Sequence, residues 1–194
     1  MTNNNKNKLN SFNVSEFEVF KTGVIAHYGK SNPQAATLLL ILAFTGMRKG
    51  EALALRWNSV DFNNKTVKIT EFVTLDADDK LTISRGKNKY SIRTIGITDE
   101  LVKLLLAWKK HQQSKCKDKE FSDNSLIFQN INGSSSILSP AKPDKWLNVI
   151  ENEYHLPNIS VQGLRHTYAE LLIRYNISPN FVASTLGRAL TLRH

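Results

Sequence analysis

Residues Ala43–Trp57 read AFTGMRKGEALALRW, and the reading of the whole chain depends on where that stretch breaks. The run before it, LLLILAF (38–44), is apolar throughout, and Thr45-Gly46 ends that run and restarts the chain. Arg48 is therefore expected at a fresh helix N-terminus, where unpaired backbone N–H groups favour anions. Arg48 and Glu51, three residues apart, share one face of the first turn. A phosphate fits such a place. An ordinary Arg–Glu pair on a solvated helix face fits the same spacing, and the stretch alone does not choose between them.

Working outward, Asn13-Val14-Ser15-Glu16 has the form of a capping box that opens a helix with Phe17, Phe20, Val24 and Tyr28 on one stripe, ending near Gly29. Asn32-Pro33 supplies a cap and a proline at the first helical position, so Ala35–Phe44 is read as a buried central helix. A third helix is expected from Met47 to about Trp57. From Val60 the period changes to alternation, in VDFNNKTVKITEFV, LTIS and SIRTIGI, which predicts a small antiparallel sheet of about three strands. Asn63-Asn64 marks its first turn and Arg85-Gly86-Lys87-Asn88-Lys89 its second, a basic hairpin tip.

Thr98-Asp99-Glu100 caps a helix that turns Leu101, Leu104, Leu105 and Trp108 inward and then dissolves into a basic linker, Lys109–Glu120. Ser125–Phe128 is a short apolar segment, and Asn132–Pro140 a Gly/Ser-rich loop. Lys142–Glu153 reads as an amphipathic helix with Trp146 and Ile150 on its apolar side. SVQGLRHTYAELLIR (160–174) is helical from about Gln162, with Leu164, Tyr168, Leu171 and Leu172 packed inside. The expected class is α+β, mainly helical.

Composition narrows the partners. The 194 residues suffice for one sizeable core, and 26 Lys plus Arg against 17 Asp plus Glu give a net charge of +9. The excess is uneven, with eleven cations and four acids between Lys80 and Glu120, which suggests nucleic acid or another polyanion. A single cysteine, Cys116, excludes an intrachain disulfide and a Cys-rich metal site, and fits a reducing cytoplasm. The polar start MTNNNKNKLN is no secretion signal, and Thr37–Phe44 is too short to span a membrane.

Three separated elements each offer a cation that can reach a common anion: Arg48 at a helix start, Lys87 on a hairpin tip and Arg165 in the late helix. In order, TGMRKGEALALRW, GKNKYSIRTIGI and VQGLRHTYAELLI resemble the first arginine box, the lysine hairpin and the second arginine box of the tyrosine recombinases of the phage-integrase type. The resemblance runs from about Leu9 to Gly187. It implies a helical catalytic domain with a small β-sheet that grips double-stranded DNA and cuts one strand by attack of a tyrosine on a phosphodiester. Such chemistry serves site-specific integration or excision of a mobile element or prophage, and it requires neither a metal ion nor a nucleotide cofactor.

By that resemblance Arg48 and Arg165 would clamp the non-bridging oxygens of the phosphate through planar guanidinium forks. Lys87 would protonate the leaving 5′ oxygen, with Lys89 the close alternative. Glu51, Gln162, His166 and Arg188 stand as supporting residues, and Arg85, Lys89 and Arg93 as DNA-facing cations.

The chain also departs from the family pattern. Gln162 stands where a histidine is usual, and glutamine exchanges no proton near neutral pH. His166 points about 100° round the helix from Arg165 and is read as a packed or supporting histidine. Arg188 replaces a usual histidine or tryptophan, and the nucleophilic tyrosine expected roughly two to three helical turns past Gly187 is not met before His194. Tyr168 and Tyr175 are read as structural. The expected division is a disordered leader, 1–8, and a catalytic domain, 9–194, incomplete at its C-terminus. Two functions stay open: a recombinase whose chain is inactive alone, or a non-catalytic DNA-binding remnant or regulator. The family works as a tetramer on DNA, while this chain alone is expected to be monomeric, cytoplasmic and free of membrane.

Overall fold

Asn13 opens the first helix as its sequence predicts: its side chain accepts from Glu16 N at 3.0 Å, and Glu16 Oε2 accepts from Asn13 N at 2.7 Å. A computed structural model describes residues 11–86, 92–115, 121–130 and 136–187 of the chain. Helix α1 (Val14–Tyr28) buries Phe17, Phe20, Val24 and Tyr28, the stripe read from the sequence. Asn32 and Pro33 start α2 (Pro33–Thr45), whose residues from Gln34 to Thr45 are all buried except Phe44. A helix apolar all round must be covered all round. Helices α1, α4 (Asp99–Lys115), α5 (Ala141–Glu153) and α6 (Val161–Arg174) do so, with α2 as the axis of the core.

The third helix is shorter than expected. Helix α3 spans only Lys49–Leu53, and Trp57 begins a single 3-10 turn, Trp57–Ser59. The cause lies in the apolar segment Ser125–Phe128, which claims the backbone of residues 55–57. Trp57 N donates to Ser125 O at 3.2 Å, Ile127 N to Leu55 O at 2.8 Å, and Arg56 bridges Leu126. Helix α4, by contrast, outlasts its expected end near Lys109. Its Gln112 is 3% exposed, accepts from the Trp57 indole N–H at 2.8 Å and donates to Leu126 O at 3.0 Å, so the helix continues to carry that side chain inward. Lys109 pairs with Asp123 at 2.8 Å while its ammonium lies 5.5 Å from the centre of the Trp57 ring.

The strands form a three-stranded antiparallel sheet, as expected, together with a separate two-stranded hairpin. Strands β1 (Val60–Asp61), β2 (Thr66–Ile69) and β5 (Arg93–Gly96) make the sheet, in the order β1-β2-β5. Asp61 Oδ1 accepts from Asn63 N and Asn64 N at 3.0 and 2.9 Å and closes the turn between β1 and β2. Strands β3 (Glu71–Leu75) and β4 (Leu81–Arg85) make the hairpin, with Glu71 opposite Arg85. Among the described residues LTIS and SIRTIGI therefore do not pair with each other, and residues 87–91, on which most of the expected basic hairpin tip falls, lie outside the described residues. Gly86 N donates to Thr70 O at 2.9 Å, which brings the start of that segment back to the corner between β2 and β3.

Helix α7 (Pro179–Thr185) completes the described fold, packing on α6 and β5. Phe12, 1% exposed, enters the core ahead of α1, and its N–H donates to Thr167 Oγ1 at 2.8 Å. Among the described residues no helix is long and apolar enough to cross a membrane. The leader, 1–8, lies outside the described residues.

Candidate functional site

Gly46 closes α2 in the left-handed conformation, φ 60°, with its N–H donating to Leu42 O at 3.0 Å. Only glycine fits here, because a Cβ would stand 2.5 Å from Tyr168 Cδ1 and 2.8 Å from Leu186 Cδ2. The carbonyl of this same glycine accepts from Arg165 Nη1 at 2.8 Å, across 119 positions of sequence. Arg165 Nη2 donates to Leu186 O at 2.6 Å, at the end of α7. One guanidinium, 2% exposed, thus reaches carbonyls at the C-terminal ends of two helices, where intrahelical donors run out. The elements carrying the two arginine boxes are brought together at one turn.

Arg48 stands two residues beyond Gly46 as the N-cap of α3. The capping oxygen comes from Glu51, whose Oε2 accepts from Arg48 N at 2.7 Å and whose Oε1 accepts from Arg48 Nη1 at 3.1 Å. A second guanidinium shares that carboxylate: Arg93 Nη1 donates to Oε1 at 2.9 Å and Nη2 to Oε2 at 2.8 Å. Arg93 Nε donates to Thr185 O at 2.7 Å, one residue before the carbonyl held by Arg165. Burial alone would raise the pKa of Glu51. The hydrogen bonds and charge of Arg93, with the N–H and charge of Arg48, outweigh that and hold it below the usual glutamate value.

Exposure separates the two arginines on this carboxylate. The Arg93 side chain is 7% exposed and Arg48's is 48% exposed. Arg93, expected among the DNA-facing cations, is thus turned inward onto Glu51. The sequence carried a signal for this, since Arg93, Ile95 and Ile97 alternate onto one face and the two isoleucines are buried. What the sequence could not offer was the role of the carbonyls of Gly46, Thr185 and Leu186, which belong to the backbone.

Beside Arg48 and Glu51 opens a cleft of about 370 Å³, walled by Ile69, Phe72 and Val73 and reaching Gly86. Lys87 and Lys89 follow Gly86 and lie outside the described residues, as does Arg188. Arg85, exposed at the end of β4, immediately precedes Gly86 and pairs in register with Glu71. Gln162 is exposed on the first turn of α6 and His166 half-buried further along it. Tyr168 packs on Gly46, and its burial raises the hydroxyl pKa. Tyr175, expected to be structural, is instead 67% exposed, because α6 ends at Arg174 and leaves it as the cap residue. Among the described residues no group of three or more His, Cys, Asp or Glu could hold a metal ion.

The chain is similar to a tyrosine recombinase XerC-like protein of Caldanaerobacter subterraneus, 24% identical, over 94% of this chain and 48% of that protein. It is 28% identical to the ICEBs1 integrase of Bacillus subtilis over 71% of this chain and 37% of the integrase. The chain therefore spans about half, or less, of the length of these relatives. In fold it is similar to the Tn1549 transposon integrase, solved in complex with a circular intermediate DNA, with a TM-score of 0.77 at 16% identity over 97% of this chain and 61% of that one. XerA recombinase gives a TM-score of 0.71 at 16% identity, over 95% of this chain and 57% of that one. Residues 18–189, spanning both arginine boxes and the Glu51 carboxylate between Arg48 and Arg93, match the profile of the phage integrase family, and the chain belongs to that family.

Proposed function

We propose that this chain is the phosphate-gripping part of a site-specific DNA recombinase that breaks and rejoins strands to move a mobile element or prophage. The observation that carries the reading is the convergence at Gly46–Arg48. Arg165 bonds the carbonyl of Gly46, Arg48 leaves the same turn half-exposed, and Arg93 backs it through Glu51. Two guanidinium groups, those of Arg48 and Arg93, on the one Glu51 carboxylate leave an excess of positive charge beside a cleft, as a phosphodiester requires. The complex of the similar Tn1549 integrase with a circular intermediate DNA supports DNA as the ligand.

In the proposed step a tyrosine oxygen gives up its proton to solvent and forms a bond to phosphorus while the bond from phosphorus to the 5′ oxygen breaks, giving a 3′-phosphotyrosyl link. Arg48 and Arg165 stabilise charge on the non-bridging oxygens as it builds. Lys87, one residue past the Gly86 that borders the cleft, gives its proton to the leaving 5′ oxygen; Lys89 is the alternative donor. Arg85 adds to the DNA-facing charge, and Gln162 and Arg188 occupy places where the family uses proton-bearing or stacking side chains. Tyr168 is assigned to packing. No metal ion enters this step, and the active assembly is a tetramer on two duplexes.

The test has two arms. Binding of this chain to a random-sequence duplex should weaken with salt with a log–log slope of about −4 to −5, from five or so phosphate contacts. A flat salt response refutes the phosphate reading. In the protein carrying this chain and its nucleophile, Lys87→Ala should slow covalent capture of a nicked duplex by roughly 10²–10⁴-fold. A 5′-bridging sulfur, whose thiolate leaves without a proton, should restore the rate; no rescue transfers the acid role to Lys89.

A further inference from the structure

The Glu51 carboxylate has room for about four donors, two on each oxygen, and all four places are taken. Arg93 fills one on each oxygen with a two-pronged fork at 2.8 and 2.9 Å. The backbone N–H of Arg48 fills a third at 2.7 Å. Only the last, at 3.1 Å, falls to the guanidinium of Arg48, which makes this single hydrogen bond among the described residues and stays 48% exposed. Were the Arg93 fork removed, both oxygens would be open to Arg48, and a fork between guanidinium and carboxylate is the geometry that pair prefers. Arg48 would fold back on Glu51 and its charge would be spent there.

We propose that Arg93 is a positioning residue for Arg48: it occupies Glu51 from the buried side, so that the guanidinium of Arg48 remains turned outward to the DNA phosphate. The third bond of the same side chain, from Nε to Thr185 O at 2.7 Å, ties that posture to the end of α7. Arg165 holds the next carbonyl, Leu186 O, so the two buried arginines fix two consecutive residues of the chain against the turn that carries Arg48. Arg93 itself contacts no phosphate. The inference rests on the phosphate reading of Arg48.

The experiment is a double-mutant cycle in duplex binding by the full chain, using a random-sequence DNA duplex over a salt series, well below each variant's melting temperature. Arg48→Ala should lower the magnitude of the salt slope by about 0.9, the value of one phosphate contact. Arg93→Ala should lower it by the same amount, and the double variant by no more than either alone. A purely structural arginine, or one that contacts DNA itself, adds its loss to that of Arg48→Ala, and additivity overturns the proposal. Arg93→Lys serves where alanine fails to fold. It keeps the charge but offers a point donor in place of a fork, and should show the same loss of slope; a wild-type slope in this variant overturns the proposal as well. If Arg48→Ala itself leaves the slope unchanged, the phosphate reading fails and the Arg93 proposal falls with it, an outcome distinct from additivity.

Discussion

Gly46→Ala tests the turn on which the site is built. Two costs add there. An alanine held at φ 60° sits in the left-handed region, at about 1–2 kcal/mol. Its methyl would also stand 2.5 Å from the Tyr168 ring and 2.8 Å from Leu186, and forcing an extra methyl into packed surroundings costs about 1–3 kcal/mol. The sum is about 2–5 kcal/mol. At about 2–4 °C per kcal/mol for a chain of this size, the melting temperature should fall by about 4–20 °C.

Gly96→Ala is the internal control, because a Cβ there meets nothing within 4 Å and Gly96 is not among the positive-φ residues. Its melting temperature should stay within about 2 °C of wild type, the reach of a surface substitution. Thermal unfolding followed by circular dichroism reads both variants. If Gly46→Ala melts within about 2 °C of wild type, or Gly96→Ala loses as much, the turn is not the constrained joint described, and the contact from Arg165 to its carbonyl loses its structural basis.

Glu51 predicts a dependence on pH. Its folded pKa is depressed, so the stabilisation it brings is present above the ordinary value of 4.5 and is lost as pH falls through the folded value. The stability gap between wild type and Glu51→Gln, measured by urea unfolding, should therefore narrow as pH drops from neutrality to below 4.5; a constant gap refutes the ion-pair account. Gln112→Ala should cost about 2–5 kcal/mol in the same assay, because it strands the buried Trp57 indole N–H and opens a cavity beside it. A loss below about 0.5 kcal/mol would show that α4 does not depend on that bond.

Much of the fold was legible because its signals are local. The cap at Asn13, the Asn32-Pro33 start and the apolar run of α2 each declare themselves within a few residues, and the structure follows them. The errors arise where a distant segment competes. Nothing between Met47 and Trp57 reveals that Ser125–Phe128 will take the backbone of residues 55–57 and cut α3 short. Nothing in Lys109–Lys115 reveals that Gln112 is needed inside. At the site, the residue types of Arg48, Glu51 and Arg165 were visible in their boxes. The inward turn of Arg93 was hidden by reading its charge before its alternation with Ile95 and Ile97.

A buried guanidinium is ordinarily expensive, and removing one partner of such a charge costs more than the pair is worth. Arg165 escapes that expense by location. It lies at the C-terminal ends of α2 and α7, where unpaired carbonyls carry partial negative charge and lack donors of their own. Arg93 uses the same device on Thr185 O and adds a carboxylate. The fold thereby holds two buried guanidinium groups in place in part with backbone dipoles, and Arg93 shares the acid Glu51 with Arg48. A neutral carbonyl fixes a cation's position without cancelling its charge, which is the condition that the phosphate grip proposed for Arg48 requires of its neighbours.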